Sequence, residues 1–199
     1  LIGERVFPAV AAAADVDGHS FHTLVDRYYQ TLEDSTDFNP WEFIAFVSEE
    51  TGVASDTLEK AYFDAAHFQA AIYDDVHPTL EALRGNPAHQ LGIYSQGFEK
   101  YQRAKLELGG VMQYFQASEY QIIERRKSAP DVIKSIPEGS VLIDDHTRFL
   151  QPLAEQRPDL HLYWIYRNNP EEYRDQLPSS VTHLASLKQL LTEIDTIPQ

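Results

Sequence analysis

A hydroxyl, an ammonium and a pair of carboxylates succeed one another through the second half of the chain. Ser95 closes the run Leu91-Gly92-Ile93-Tyr94, Lys127 sits in Arg125-Arg126-Lys127-Ser128-Ala129-Pro130, and Asp144-Asp145 close Val141-Leu142-Ile143. Together these groups suit a phosphoryl group held beside a divalent cation. A serine hydroxyl donates to a phosphate oxygen, helped by the backbone N–H groups of Gln96 and Gly97 where the chain enters a helix. A lysine brings a compact charge that offsets negative charge developing on the phosphoryl oxygens. Two adjacent acids bring hard oxygens, and magnesium takes one or two carboxylates with waters and substrate oxygens. Taken singly, each has a plainer reading: a turn serine, a solvated lysine, an acid that caps a helix. Their order at successive strand–helix junctions carries the argument, because open α/β sheets bind ligands beyond the carboxyl ends of their strands.

The elements that must position these residues read in two parts, a helical subdomain over 4–77 and an alternating part over 78–199. Glu4 to Ala14 is an alanine-rich helix that stops at Asp15-Val16-Asp17-Gly18. Phe21 to Leu32 and Trp41 to Glu50 show apolar residues at helical spacing, and Ser55 is placed to cap a further helix. From Pro78 onward, short helices alternate with apolar runs at Gln90–Tyr94, within Tyr114–Ile123, and at Ser140–Ile143, Leu160–Tyr166 and Val181–Leu184. Helices are expected at Phe98–Leu108, Ala129–Ile136, Thr147–Gln156 and Leu187–Ile194. Such alternation predicts a parallel sheet covered on both faces. The fold class is therefore α/β, a Rossmann-like three-layer core with an all-helical subdomain attached.

Composition removes several classes of function. The chain of 199 residues has no cysteine, which excludes thiol catalysis, disulfides and thiolate metal sites. A reducing compartment is compatible with this, and the cytoplasm is the expected location. A formal net charge of -15 repels a phosphate backbone, and Arg125-Arg126-Lys127 is too short a basic cluster to overcome it. No nucleic-acid partner is expected. Nor is a membrane, since no run approaches the roughly 18 apolar residues that span a bilayer.

The ordered set resembles the haloacid dehalogenase-like (HAD) hydrolases. Leu91-Gly92-Ile93-Tyr94-Ser95-Gln96-Gly97 is similar to the family's second motif, Lys127 ahead of Ser128-Ala129-Pro130-Asp131 to its third, and Val141-Leu142-Ile143-Asp144-Asp145 to its fourth. Pro78-Thr79-Leu80-Glu81-Ala82-Leu83-Arg84 is similar to the helix before the second motif. The resemblance covers residues 78–170 well and the earlier helices more loosely. It implies a Rossmann-like core with a helical cap, a magnesium ion held by Asp144 and Asp145, and an aspartate nucleophile that is transiently phosphorylated. Ser95, Gln96, Gly97 and Lys127 would hold the phosphate.

The nucleophile itself is not plainly present. The family places it in an Asp-x-Asp motif at the end of the first strand. Asp15-Val16-Asp17-Gly18 offers such a pair, but Ala11-Ala12-Ala13-Ala14 before it favours helix, not a buried strand. The preferred placement is upstream of Leu1, since Leu1-Ile2-Gly3-Glu4-Arg5 is similar to the family's stretch just after its first motif. The sequence would then be a fragment lacking the nucleophile and the first strand.

The expected function is magnesium-dependent hydrolysis of a small phosphorylated molecule through an aspartyl-phosphate intermediate. A carbon–halogen hydrolase of the same family is one alternative, and a non-catalytic phosphate-binding or interaction protein on the same fold is another. His19, His22 and Asp26 are spaced to share one helix face but read as solvated surface. The aromatic residues Trp41, Phe43, Phe46, Tyr62, Phe63 and Phe68 read as helical packing.

Overall fold

Short polar residues start and stop the helices of the first half of the chain. The computed structural model describes residues 2–116, 121–167 and 177–197. Helix α1 (Gly3–Ala13) ends where Asp15 takes a left-handed conformation, φ 54°. The Val16 N–H reaches the Ala11 carbonyl at 3.0 Å and the Asp15 N–H reaches Ala12 at 3.2 Å, a Schellman pattern that satisfies the last carbonyls. Asp17 then opens α2 (Gly18–Tyr29), its side chain accepting from the N–H groups of His19 and Ser20. Helix α3 (Pro40–Thr51) begins with an Asn39 cap and Pro40 at its first position, and ends at Gly52, φ 75°. Helix α4 (Ser55–Tyr62) departs from expectation. Ala54 occupies its cap position with no side-chain bond, and Ser55 is its first helical residue. Helix α5 (Ala65–Gln69) comes next, capped by Asp64.

The chain divides into two compact units, Leu1–Tyr73 with Gln96–Gln113, and Asp74–Ser95 with Tyr114–Gln199. The first is the helical unit and also holds α7 (Glu99–Leu108). The sequence pattern groups that helix with the strands instead. Its packing explains the difference: Tyr101 and Leu108 lie against the helical core, and the Tyr62 and Tyr101 hydroxyls share a hydrogen bond of 2.7 Å. Val6, Val10, Phe21, Val25, Phe43, Val47, Leu58 and Phe68 are buried in that core. Tyr28, Phe38 and Phe43 meet at ring-centroid separations of 5.3–5.6 Å, within the range for favourable aromatic pairs.

The second unit carries the strands. Helix α6 (Val76–Gly85) precedes β1 (Ile93–Gln96), whose last residue falls across the division. Then come β2 (Gln121–Glu124), α8 (Pro130–Ser135), β3 (Val141–Asp144), α9 (Thr147–Gln156), β4 (His161–Ile165), β5 (Val181–Leu184) and α10 (Leu190–Ile194). β3, β4 and β5 form one parallel sheet in that order, and β1 and β2 pair separately. Asp144 stands opposite Trp164 in the register. The pleat sends alternate residues to opposite faces. Leu142, Leu162 and Trp164 join Ile133, Leu150 and Leu153 in one core cluster, while Tyr163 and Leu184 join Leu83 and Leu190 in another. Two clusters on two faces make the three layers of the α/β class. Among the described residues, no helix is long and apolar enough to cross a membrane.

Arg157 ties this unit together just beyond α9. Its guanidinium donates to the Ile133 and Ile136 carbonyls at 2.9 and 2.8 Å and forms a double bridge to Asp159. It thus caps the end of α8, which starts three residues after Lys127. Arg157→Ala leaves two carbonyls without that donor. It should cost about 1–3 kcal/mol in chemical denaturation, read as a lower urea midpoint at unchanged slope.

Candidate functional site

Lys127 is the centre of the strand unit's polar chemistry. It lies in the turn over Arg125–Ser128 that leads into α8, and its side chain is only 6% exposed. The ammonium forms a direct ion pair with Oδ2 of Asp144, the last residue of β3, equally buried. Oδ1 of Asp144 accepts from the His146 N–H at 2.9 Å. That bond turns the chain from β3 toward α9, so one carboxylate both ends the strand and fixes the lysine. Burying two opposite charges is tolerable only when they are paired and their remaining valences are met, which these contacts do.

Two rings flank the ammonium. The Phe149 centroid is 4.3 Å from Nζ and the Tyr94 centroid 4.9 Å, both within cation–π range. The Tyr94 hydroxyl donates to the Lys127 carbonyl. Burial first, and the nearby Asp144 charge second, push the Tyr94 pKa up to about 12, so its hydroxyl remains a donor through neutral pH. The sequence pattern marks neither ring for this role. Tyr94 reads there as a strand residue and Phe149 as one of a helix's apolar positions. The available signal is the place of Tyr94 directly before the strand-end serine.

Ser95 is the third residue of β1, half-buried, and the strand runs one residue beyond it to Gln96. The Gln96 side chain donates to Thr36 Oγ1 at 3.3 Å within the helical unit. Gly97 has φ 130°, and a Cβ there would stand 2.4 Å from the Gln102 amide nitrogen. The conformation favours glycine here, whereas the flexible Gln102 side chain could move aside to give space. Asp145 is exposed, 3.9 Å from His146, and its carbonyl accepts from the Trp164 indole at 3.1 Å.

Asp15 and Asp17, the alternative nucleophile pair, end no strand. Asp15 closes α1 and Asp17 caps α2, which accounts for both acids. The alanine run before them is helical, as its propensity demands. His22 and Asp26 meet at 3.6 Å on an exposed face, and no group of three metal-ligating side chains occurs among the described residues.

No protein-family model and no curated protein matches the sequence. Solved structures do. A protein of Burkholderia xenovorans LB400 described as a haloacid dehalogenase-like hydrolase superposes with TM-score 0.60 at 16% identity, over 89% of this chain and 84% of its own. One of Thermotoga maritima described as a beta-phosphoglucomutase gives 0.54 at 10%, over 95% and 91%. The HAD-hydrolase YfnB of Bacillus subtilis, solved with magnesium, gives 0.55 at 15%, over 98% and 92%. The chain has the HAD-like fold.

At these identities the likeness establishes architecture, and the chemistry of this HAD-like chain has to be read from its own side chains. Those that converge are Lys127, Asp144, Tyr94 and Phe149, with Asp145 exposed beside them. The donors suit magnesium in kind, since two adjacent carboxylates leave the rest of a six-oxygen shell to water and substrate.

Substitutions separate the paired charges from the capping acids. Lys127→Met strands the buried Asp144 carboxylate and should cost about 3–5 kcal/mol, whereas adding Asp144→Asn should recover much of it in equilibrium unfolding. Asp17→Ala removes a helix cap, so it should lower Tm, read by thermal unfolding, without touching the Lys127–Asp144 pair.

Proposed function

We propose that this protein is a magnesium-dependent hydrolase of small phosphorylated molecules. The observation that supports this most directly is the buried lysine–aspartate pair at the end of β3, next to a second, exposed acid. In this reading Lys127 binds the phosphoryl oxygens and neutralises charge that grows on them during transfer. Ser95 donates its hydroxyl to a second phosphoryl oxygen, and the backbone N–H groups of Gln96 and Gly97 add to the same cradle. Asp144 and Asp145 would hold magnesium directly or through water, and the ion supplies Lewis-acid polarisation of the phosphoryl group. As phosphate arrives, Lys127 turns from its bond with Asp144 toward the anion and releases a carboxylate oxygen.

The nucleophile in this reading is an aspartate. Its carboxylate oxygen bonds to phosphorus as the bond to the leaving oxygen breaks, giving an aspartyl phosphate. A second aspartate two residues later gives its proton to the leaving oxygen. It then takes one from the water that attacks phosphorus and restores the nucleophile.

The test is p-nitrophenyl phosphate turnover by the full-length gene product, with and without magnesium. Turnover that requires the ion is expected, and Asp144→Asn should raise the half-saturating magnesium concentration by about tenfold or more. A full-length product that turns over no phosphoester in a broad panel overturns the hydrolase reading. An unchanged magnesium titration in Asp144→Asn removes that residue as a ligand.

A further inference from the structure

The Lys127 ammonium has more holding it than a carboxylate. Its nitrogen lies 4.3 Å from the centre of the Phe149 ring and 4.9 Å from that of Tyr94. The three residues come from three separate stretches of the strand unit: the interior of β1, the turn before α8 and the first turn of α9. Phe149 is itself buried. Tyr94 is bound to the lysine twice, through its ring and through its hydroxyl on the Lys127 carbonyl.

A lysine stem is flexible, and an ammonium can track an anion in many directions. Aromatic faces attract cations weakly enough to let them move yet strongly enough to restrict where they go. We propose that Tyr94 and Phe149 are positioning residues. Their rings form an aromatic clamp that keeps the Lys127 ammonium in place as it passes from Asp144 to a phosphoryl oxygen. This rests on the function proposed above and adds two residues to it.

A compact lysine suits passage from one anion to another. The ammonium is compact and presents charge in every direction, whereas a planar guanidinium must stack or fork. The clamp explains the choice of rings. An apolar residue at 94 or 149 would fill the same volume, but it would offer the cation nothing during the interval when neither anion holds it.

The test has two arms on the full-length gene product. In the first, lysine labelled at Cε is observed by NMR, with Lys127→Arg used to assign the signal. Ring currents should shift the Lys127 ε protons upfield, and Phe149→Leu and Tyr94→Leu should each return them toward the ordinary position. An ordinary shift in the wild type overturns the clamp. In the second arm, inorganic phosphate affinity is measured by calorimetry. Phe149→Leu and Tyr94→Leu should weaken it about tenfold, while the ring-preserving Phe149→Tyr and Tyr94→Phe should stay near wild type. Equal affinity in wild type and both leucine variants overturns the positioning role. If Lys127→Met combined with Asp144→Asn binds phosphate as the wild type does, while the wild type shows the ring-current shift, it is the phosphate role of Lys127 that fails.

Discussion

A positive and a negative charge, buried against each other at the end of β3, impose most of the order in the strand unit. Leaving either Lys127 or Asp144 there alone would cost several kcal/mol, a large share of a domain's net stability. Each neighbouring element meets one requirement of the pair. The turn over 125–128 delivers the ammonium, β3 delivers the carboxylate, and the His146 N–H occupies the carboxylate's other oxygen. Trp164, opposite Asp144 on β4, holds the next residue's carbonyl and so fixes where the second acid emerges. The pair is therefore a poor source of stability and a strong source of specificity, since few other arrangements of this chain could satisfy both ions.

That arrangement differs in kind from the helical unit. There the binding is apolar: rings and aliphatic side chains pack in a continuous cluster, and polar residues act at the helix ends. The separation of roles suits a fold in which one part holds reactive groups while the other can vary. The aromatic core of the helical unit can be rebuilt by substitutions of similar volume at modest cost. The ion pair tolerates no such exchange unless both members change together.

Much of this was legible in the sequence. Apolar runs alternating with helices gave the strands and the three-layer class, because a parallel sheet is covered on both faces by the helices that connect its strands. The acids closing Val141-Leu142-Ile143 were legible as a strand end, and α9 has the bounds its apolar spacing indicates. Other features were not. That α7 packs in the helical unit depends on where Tyr101 and Leu108 find partners, which no local pattern records. The absence of a side-chain cap on α4 was hidden because Ser55 is chemically suited to a place one residue earlier. The pairing of Lys127 with Asp144, seventeen residues apart, and the rings of Tyr94 and Phe149 are tertiary facts. Spacing could nominate the lysine and the acid but could not say that they touch.

The division into a two-stranded and a three-stranded sheet has a consequence for handling the protein. Among the described residues, β1 pairs only with β2 and β3 only with β4. β3 therefore presents an open edge among the described residues, and such edges invite pairing with an extended polypeptide. Val141-Leu142-Ile143-Asp144 carries one charge, already neutralised by Lys127, so charge repulsion within the strand does little to discourage it.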